Sequence, residues 1–305
     1  MPKNRRTVSR IGTPKAKFES CVFEAHAHCE MSELPGSDYL LGSSDAEHER
    51  LIRQARHMAP FTERFFREAG IGPGQRVLDL GSGVGDVAML VGKLVGPSGE
   101  VVGMERDERS LTLAVARVKE ARQDNVSFIR SDITQISVNK SFDAVVGRFI
   151  LQFVANPVGV LQSVVQLLEP GGIVAFQEPS FAAFVHLCPH LRLWSAGAML
   201  IYETGRRAGV NPEMGFALHG AFQEAGLPAP KMHIDVPLGS DPDFTRWVSD
   251  VIRTLLPRIQ EFNLSVEPLG DLATLYERLE QEIASANSVV PVLPLVGAWS
   301  RKSAT

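Results

Sequence analysis

The chain has 305 residues, 44% of them hydrophobic, and a net charge of −4. That length allows one large or two small domains with a sizeable core, and the charge gives no global attraction to nucleic-acid phosphates. Three cysteines, Cys21, Cys29 and Cys188, are too few and too odd for a disulfide framework and suit a reducing cytoplasm, and no apolar run reaches the roughly 18 residues that a membrane span needs.

The first 17 residues carry Lys3, Arg5, Arg6, Arg10, Lys15 and Lys17 without an acid, and they lack the apolar core of a secretion signal. Residues 1–30 read as a flexible N-terminal arm that packs on the body or on a partner subunit, and a homo-oligomer is expected through it. Within the arm, Cys21, His26, His28 and Cys29 are metal-ligand types. Their spacing matches none of the common zinc patterns, so no metal is expected. Residues 45–69 read as a helix: Asp45 caps it, Leu51, Ile52, Ala55 and Met58 recur at helical spacing, and Pro60 is expected to kink or split it before Phe61, Phe65 and Phe66.

From Arg76 the pattern alternates. Strands are expected at 76–80, 100–105, 126–130, 142–147 and 172–177. Helices are expected at 84–95, 107–122 and 157–168, the last stopped by Glu169-Pro170-Gly171-Gly172. Apolar strands alternating with helices mean a parallel sheet covered on both faces. Beyond Glu178 come an aromatic-rich stretch to 211, a helix from Pro212 to Ala225, a strand near 229–237, and a mainly helical stretch at 241–286. Residues 288–300 are placed as a closing strand, at an edge or a bulge because of Pro291 and Pro294.

One stretch organises the rest: RVLDLGSGVGDVAML, Arg76 to Leu90, a strand, a tight glycine turn and a helix. Glycines let a ligand lie close to the backbone and meet the first amides of the helix, which suits a nucleoside cofactor. The nicotinamide dinucleotide fingerprint is G-x-G-x-x-G. Here Gly81, Gly83 and Gly85 run G-x-G-x-G, Asp79 precedes them, and Glu105 ends the second strand, which speaks against a dehydrogenase.

These features together resemble the class I S-adenosylmethionine-dependent methyltransferases. VLDLGSGVGD is similar to that family's first motif. Glu105 after VVGM matches its ribose-binding acid, Ser131-Asp132-Ile133 its adenine loop, FDAVVGRF its fourth-strand motif and LLEPGGIVAF its turn into the fifth strand. YLLG, ERLIRQA and GRFILQF look more narrowly like a bacterial small-molecule group. The resemblance implies S-adenosylmethionine as cofactor. Gly81, Ser82, Gly83 and Gly85 would lie against its methionine part, Asp79 would orient its ammonium group, and Glu105, with Arg106 beside it, would accept from both ribose hydroxyls. Ser131, Asp132 and Ile133 would hold the adenine, and Tyr39, Gln54 and Arg148 belong to the same expected site. The chain departs from the adenine- and glutamine-modifying members: Gly147-Arg148-Phe149 stands where they carry Asn or Asp and two prolines, which disfavours that nitrogen chemistry.

Methyl transfer needs alignment, water exclusion and, for some acceptors, a base. Glu178 at the end of the fifth strand is the first candidate base or acceptor-orienting carboxylate, with His186 and His190 behind it. Phe181, Phe184, Trp194, Tyr202 and Trp247 suit either an apolar lid or a helical core. The fold expected is α/β: a Rossmann-like, seven-stranded, mostly parallel sheet with helices on both faces. A helical cap is expected from 31–69, 178–211 and 241–286, within a domain covering 31–305. The function expected is methyl transfer to a small molecule, a secondary or specialised metabolite, without nucleic-acid or membrane partners. A cyclase or decarboxylase on the same fold and a non-catalytic cofactor-binding protein are the rivals.

Overall fold

The computed structural model describes residues 40–42, 44–136 and 141–303. The arm at 1–30, its Cys/His cluster and Tyr39 lie outside the described residues. The long helix α1 spans Asp45–Ala69, and then strand and helix alternate: β1 (Arg76–Leu80), α2 (Asp86–Val95), β2 (Glu100–Glu105), α3 (Glu108–Glu120), β3 (Val126–Arg130), β4 (Phe142–Arg148), α4 (Pro157–Leu167) and β5 (Leu168–Pro179). There follow α5 (Phe181–His186), α6 (Arg192–Arg207), α7 (Met214–Glu224), β6 (Lys231–Asp235), β7 (Leu238–Gly239), α8 (Pro242–Thr245), α9 (Trp247–Glu261), α10 (Leu275–Ser285), β8 (Val290–Pro291) and β9 (Leu295–Arg301).

Seven strands form one sheet in the order β3-β2-β1-β4-β5-β9-β6. β1 pairs in parallel with β2 on one side and β4 on the other, so the strand order reverses between β1 and β4. In open α/β sheets, ligands bind beyond the carboxyl ends of the strands at that reversal. Val77, Ala144, Val146, Ile173 and Ala175 turn one sheet face towards Phe65, Phe66 and Val91 of α1 and α2. Leu78, Val145, Val174 and Phe176 turn the other towards Leu161, Leu218 and Phe222 of α4 and α7. The buried run on both faces is why β1, β4 and β5 read as continuous apolar stretches.

A third apolar cluster joins α5, α6, α9 and α10 around Trp194, Trp247, Leu255 and Ile283. Met58 of α1 belongs to it while Phe65 and Phe66 pack on the sheet, so α1 bridges the two bodies of core.

Three expectations need correction. Pro60 does not split α1, because Pro60 and Arg56 sit on the exposed side, where the forgone backbone bond faces water. β5 begins at Leu168 rather than 172: Leu168 pairs with Phe142, and a register shift before Ala144 absorbs the Pro-Gly-Gly stretch. The last strand is not at an edge. β9 is inserted between β5 and β6, antiparallel to both, and it starts after Pro294; Pro291 sits in the separate β7–β8 ribbon.

Gly297 marks how tightly β9 is seated. A Cβ there would lie 2.8 Å from the Phe65 ring and 3.0 Å from His233 Nε2. Gly297→Val is expected to overpack this contact and lower stability by about 1–3 kcal/mol. A denaturant midpoint equal to that of the wild type would show the seat to be looser than this.

Candidate functional site

The glycine turn closes through backbone bonds: Ser82 N donates to Met104 O at 2.9 Å and Gly85 N to Ser82 O at 2.8 Å. Its glycines serve different ends. A Cβ on Gly81 would collide with Ile150 from the loop after β4. One on Gly85 would crowd the Phe128 ring at 3.1 Å and the Ala114 methyl at 3.2 Å. Gly83, at φ +53°, has nothing within 4 Å of its Cβ position. The backbone there is therefore open to a ligand, and the left-handed conformation excludes most side chains.

Glu105 meets this open side. Its Oε2 accepts from Gly83 N at 2.9 Å, and its Oε1 accepts from Arg106 N and Asp107 N, both at 2.8 Å. An ionised carboxylate has about four acceptor positions, so one remains, on Oε2. This corrects the expectation of bidentate capture of a diol: the carboxylate is already anchored and offers one acceptor to a hydroxyl.

Asp79, at the end of β1, is buried, and its Oδ2 has no hydrogen-bond partner. Burial pushes its carboxyl up to about 8, although the Arg148 guanidinium pulls the other way. Ser82 Oγ is likewise buried and unpartnered. Arg148 Nη1 donates to Thr62 Oγ1 at 3.1 Å; burial lowers its pKa against the pull of Asp86 and Asp79. Arg148 is thus a counter-charge to these acids.

Beyond β3, Ser131 N donates to Glu105 O at 3.1 Å. Asp132 Oδ1 accepts from Thr134 N and Oγ1, and Arg106 Nη1 lies 3.7 Å from Oδ2. Partial burial alone would raise the Asp132 carboxyl, but Thr134 and Arg106 outweigh it and its pKa is lowered. Ile133 packs against the sheet core. The strand ends thus bring together Asp79, Gly81, Ser82, Gly83, Gly85, Glu105, Arg106 and the 131–133 loop.

Next to this lies a cavity between α1, the loop after β4, α5, α6 and α9. Its walls are mostly apolar, with Leu41, Phe149, Phe181, Trp247 and Leu255 among them. The expected aromatic lid divides: Phe181, Tyr202 and Trp247 line the cavity, while Phe184 and Trp194 are core. Gln54 is in the wall, where its Oε1 accepts from Arg50 Nη1 and Trp247 Nε1, both at 2.7 Å. Arg50 also binds Glu47 through two bonds of 2.6 and 2.8 Å, and both residues are buried.

The expected base residues are placed elsewhere. Glu178 is fully buried, and its carboxylate accepts from the amides of Ile150, Leu151 and Gln152 at 3.0, 2.8 and 3.3 Å. Burial nonetheless pushes it up to about 7. It does not line the cavity and works as a cap on the loop after β4. His186 and His190 are exposed and do not line the cavity either; His190 bonds Ser288 at 2.9 Å. They are corrected to surface residues: α5 ends at His186, and His190 lies in the turn before α6. Sequence reading missed Glu47, Arg50, Phe149 and Gln152 as site residues. The i, i+3 acid–base pair Glu47–Arg50, in EHERLIRQA, was the available signal for the first two.

Residues 71–217 match the family described as Methyltransferase domain. They form a class I S-adenosylmethionine-dependent methyltransferase domain. A demethylmenaquinone methyltransferase of Lactococcus lactis is 30% identical over 139 residues, 45% of this chain and 55% of the relative. A ubiquinone/menaquinone biosynthesis C-methyltransferase of Coxiella burnetii is 36% identical over 114 residues, 36% of this chain and 46% of the relative. The chain thus spans about half the length of these curated relatives. In fold, the methyltransferase domain and its surroundings are similar to the YcgJ protein of Bacillus subtilis, with a TM-score of 0.52 at 13% identity, covering 81% of this chain and 99% of that one. A Haemonchus contortus phosphoethanolamine N-methyltransferase 2 in complex with S-adenosyl-L-methionine gives a TM-score of 0.50 at 16% identity, covering 80% and 52%.

The site fits that cofactor. The unpartnered Asp79 Oδ2 suits an ammonium group, the open backbone at Gly83 suits close approach, and the spare acceptor of Glu105 suits a hydroxyl.

Both Asp79 and Glu178 bind a proton more tightly folded than unfolded. The folded chain therefore holds more protons from about pH 4 up to about 7 and 8, and stability falls as pH rises through that window. The urea midpoint of the donor-free chain is expected to decline between pH 5 and 8.5. Asp79→Asn, which stays neutral, should decline less and exceed wild type at pH 8.5; an identical pH profile would remove Asp79 from this account.

Proposed function

We propose that the chain transfers the methyl group of S-adenosylmethionine to a small molecule held in the apolar cavity. The observation that carries this reading is the loop after β4: Ile150 lies on Gly81 of the donor turn, while Phe149, Gln152 and Phe153 of the same loop line the cavity. Donor and acceptor spaces thus share one wall. The cofactor, when bound, supplies an activated sulfonium methyl. The residues of this chain hold the two reactants in line and keep water out. Asp79 ionises to meet the ammonium group, Glu105 accepts from a hydroxyl of the ribose, and Ile133 covers the base.

Among the described residues lining the cavity, the titratable side chains are Arg50 and Tyr202. Arg50 is tied to Glu47. This supports an acceptor whose nucleophilic atom ionises readily without a protein base. The apolar walls support a planar or hydrocarbon-rich acceptor, in keeping with the quinone names of the relatives. Among the described residues no helix is long and apolar enough to cross a membrane. We place the protein in the cytoplasm, a setting supported by the free, buried thiol of Cys188. Assembly through residues 1–30 is part of the same proposal, and their deletion should then lower the oligomeric state measured by light scattering.

The test pairs binding with turnover. S-adenosylhomocysteine binding by calorimetry is expected for wild type, lost in Gly83→Arg and weakened about tenfold or more in Glu105→Ala, the scale of a charge-assisted bond. A reduced demethylated naphthoquinone is the first acceptor to try, followed by a metabolite pool with labelled donor. Wild type that binds the donor product yet never forms it from S-adenosylmethionine would overturn the transferase reading.

A further inference from the structure

Loop 149–153 carries an uncommon amount of fixed backbone. Phe149 stands at φ +57°, the left-handed region that an aromatic side chain rarely enters and that persists only where its surroundings over-determine it. Its amide donates to Gln177 O at 2.9 Å, and the next three amides, of Ile150, Leu151 and Gln152, all go to the Glu178 carboxylate. Phe153 N and Val154 N then close on Ile150 O and Leu151 O, and Gln152 O accepts from Asn211 N at 2.9 Å. Every amide from 149 to 154 is accounted for, four of them by two consecutive residues of β5.

The carboxylate that does this is costly where it stands. Glu178 is fully buried, and no salt bridge involves it among the described residues. A buried carboxylate held only by amides is retained at a desolvation cost, so the loop geometry it enforces is the feature to explain. That geometry has two sides. Ile150 fills the space over Gly81, against which no Cβ would fit, and Phe149, Gln152 and Phe153 form part of the cavity wall. A shift of the loop therefore moves the floor of the donor turn and the wall of the acceptor cavity together.

We propose that Glu178 is a positioning residue: by binding the three amides 150–152 it sets the loop that aligns the acceptor cavity with the methyl-donor turn. This rests on the methyl-transfer reading above and deepens it. The carboxylate acts through the backbone and does not meet the acceptor. Two amides occupy Oε1 and one occupies Oε2, and the group is fully buried outside the cavity wall, so its remaining acceptor position does not face the acceptor.

Glu178→Gln tests this directly. The amide keeps the size but presents a donor N–H₂ to at least one of the three donating amides. Hydrogen exchange, read by mass spectrometry on peptides covering 149–153, is expected to quicken at least tenfold in the variant, with β1 and α2 unchanged. S-adenosylhomocysteine affinity by calorimetry and 1-anilinonaphthalene-8-sulfonate affinity by fluorescence are both expected to weaken by about 3- to 10-fold. Turnover should fall about 10- to 100-fold while the pH–rate profile keeps its limbs. Loss of a limb, with both affinities kept at wild-type values, would make Glu178 the base and overturn the proposal. Faster loop exchange with unchanged affinities would reduce it to a scaffold contact and overturn it as well. If Glu178→Gln fails to fold, Glu178→Asp, which keeps the charge but shortens the reach, is read in the same way. Wild type that binds the fluorescent probe but not S-adenosylhomocysteine would sink the donor reading alone; the loop proposal would still be judged on exchange and probe binding.

Discussion

The site depends on main-chain amides gripped by carboxylates at the carboxyl ends of the strands. Glu105 at the end of β2 takes the amides of Gly83, Arg106 and Asp107. Glu178 in β5 takes those of Ile150, Leu151 and Gln152. Loops beyond a sheet have no ladder partners, and bare amides there would be left to water or unsatisfied. Charge-assisted bonds from the strands supply the missing acceptors and fix loop shape more firmly than neutral contacts would. One carboxylate faces the donor turn and is partly open. The other is sealed. The difference in exposure separates a group that has an acceptor to spare from one that is wholly structural in its contacts.

Between them lies a strip of buried and half-buried charge. Asp79 and Arg148 sit at the ends of β1 and β4, Asp86 opens α2 and pairs with Arg117, and Thr62 of α1 supplies one hydroxyl contact to the Arg148 guanidinium. Arg148 offsets part of the cost of ionising Asp79 but leaves its carboxyl raised. A cationic ligand group arriving at Oδ2 would complete a pairing that the protein leaves half made. The site is therefore electrostatically prepared for a cation.

The donor half was legible in the sequence because its chemistry depends on local order. Glycine spacing, an acid before the turn and an acid at the end of the next strand all lie within Asp79–Glu105, and the parallel sheet places them automatically. The acceptor half was not. Phe149 and Gln152 reach the cavity because of a left-handed residue and a cap 26 to 29 positions away in sequence, neither of which a period or a motif encodes. His186 and His190 looked catalytic by residue type, yet exposure removed them. Glu178 was singled out for its place at a strand end, and there the amides of the loop after β4 occupy its carboxylate. Prolines misled twice: Pro60 rides the wet side of α1, and Pro291 and Pro294 precede the inserted strand.

The β7–β8 ribbon has a wider implication. Gly239 pairs with Val290, so the segment between them, carrying α8, α9 and α10, leaves the sheet body and returns one strand spacing away. Its helices contribute Trp247, Val251 and Leu255 to the cavity. An excursion whose two ends meet has a length uncoupled from the register of β5, β9 and β6, and loop closure penalises added residues only slowly. Part of the cavity wall is thus carried outside the sheet body, while the glycine turn stays between paired strands.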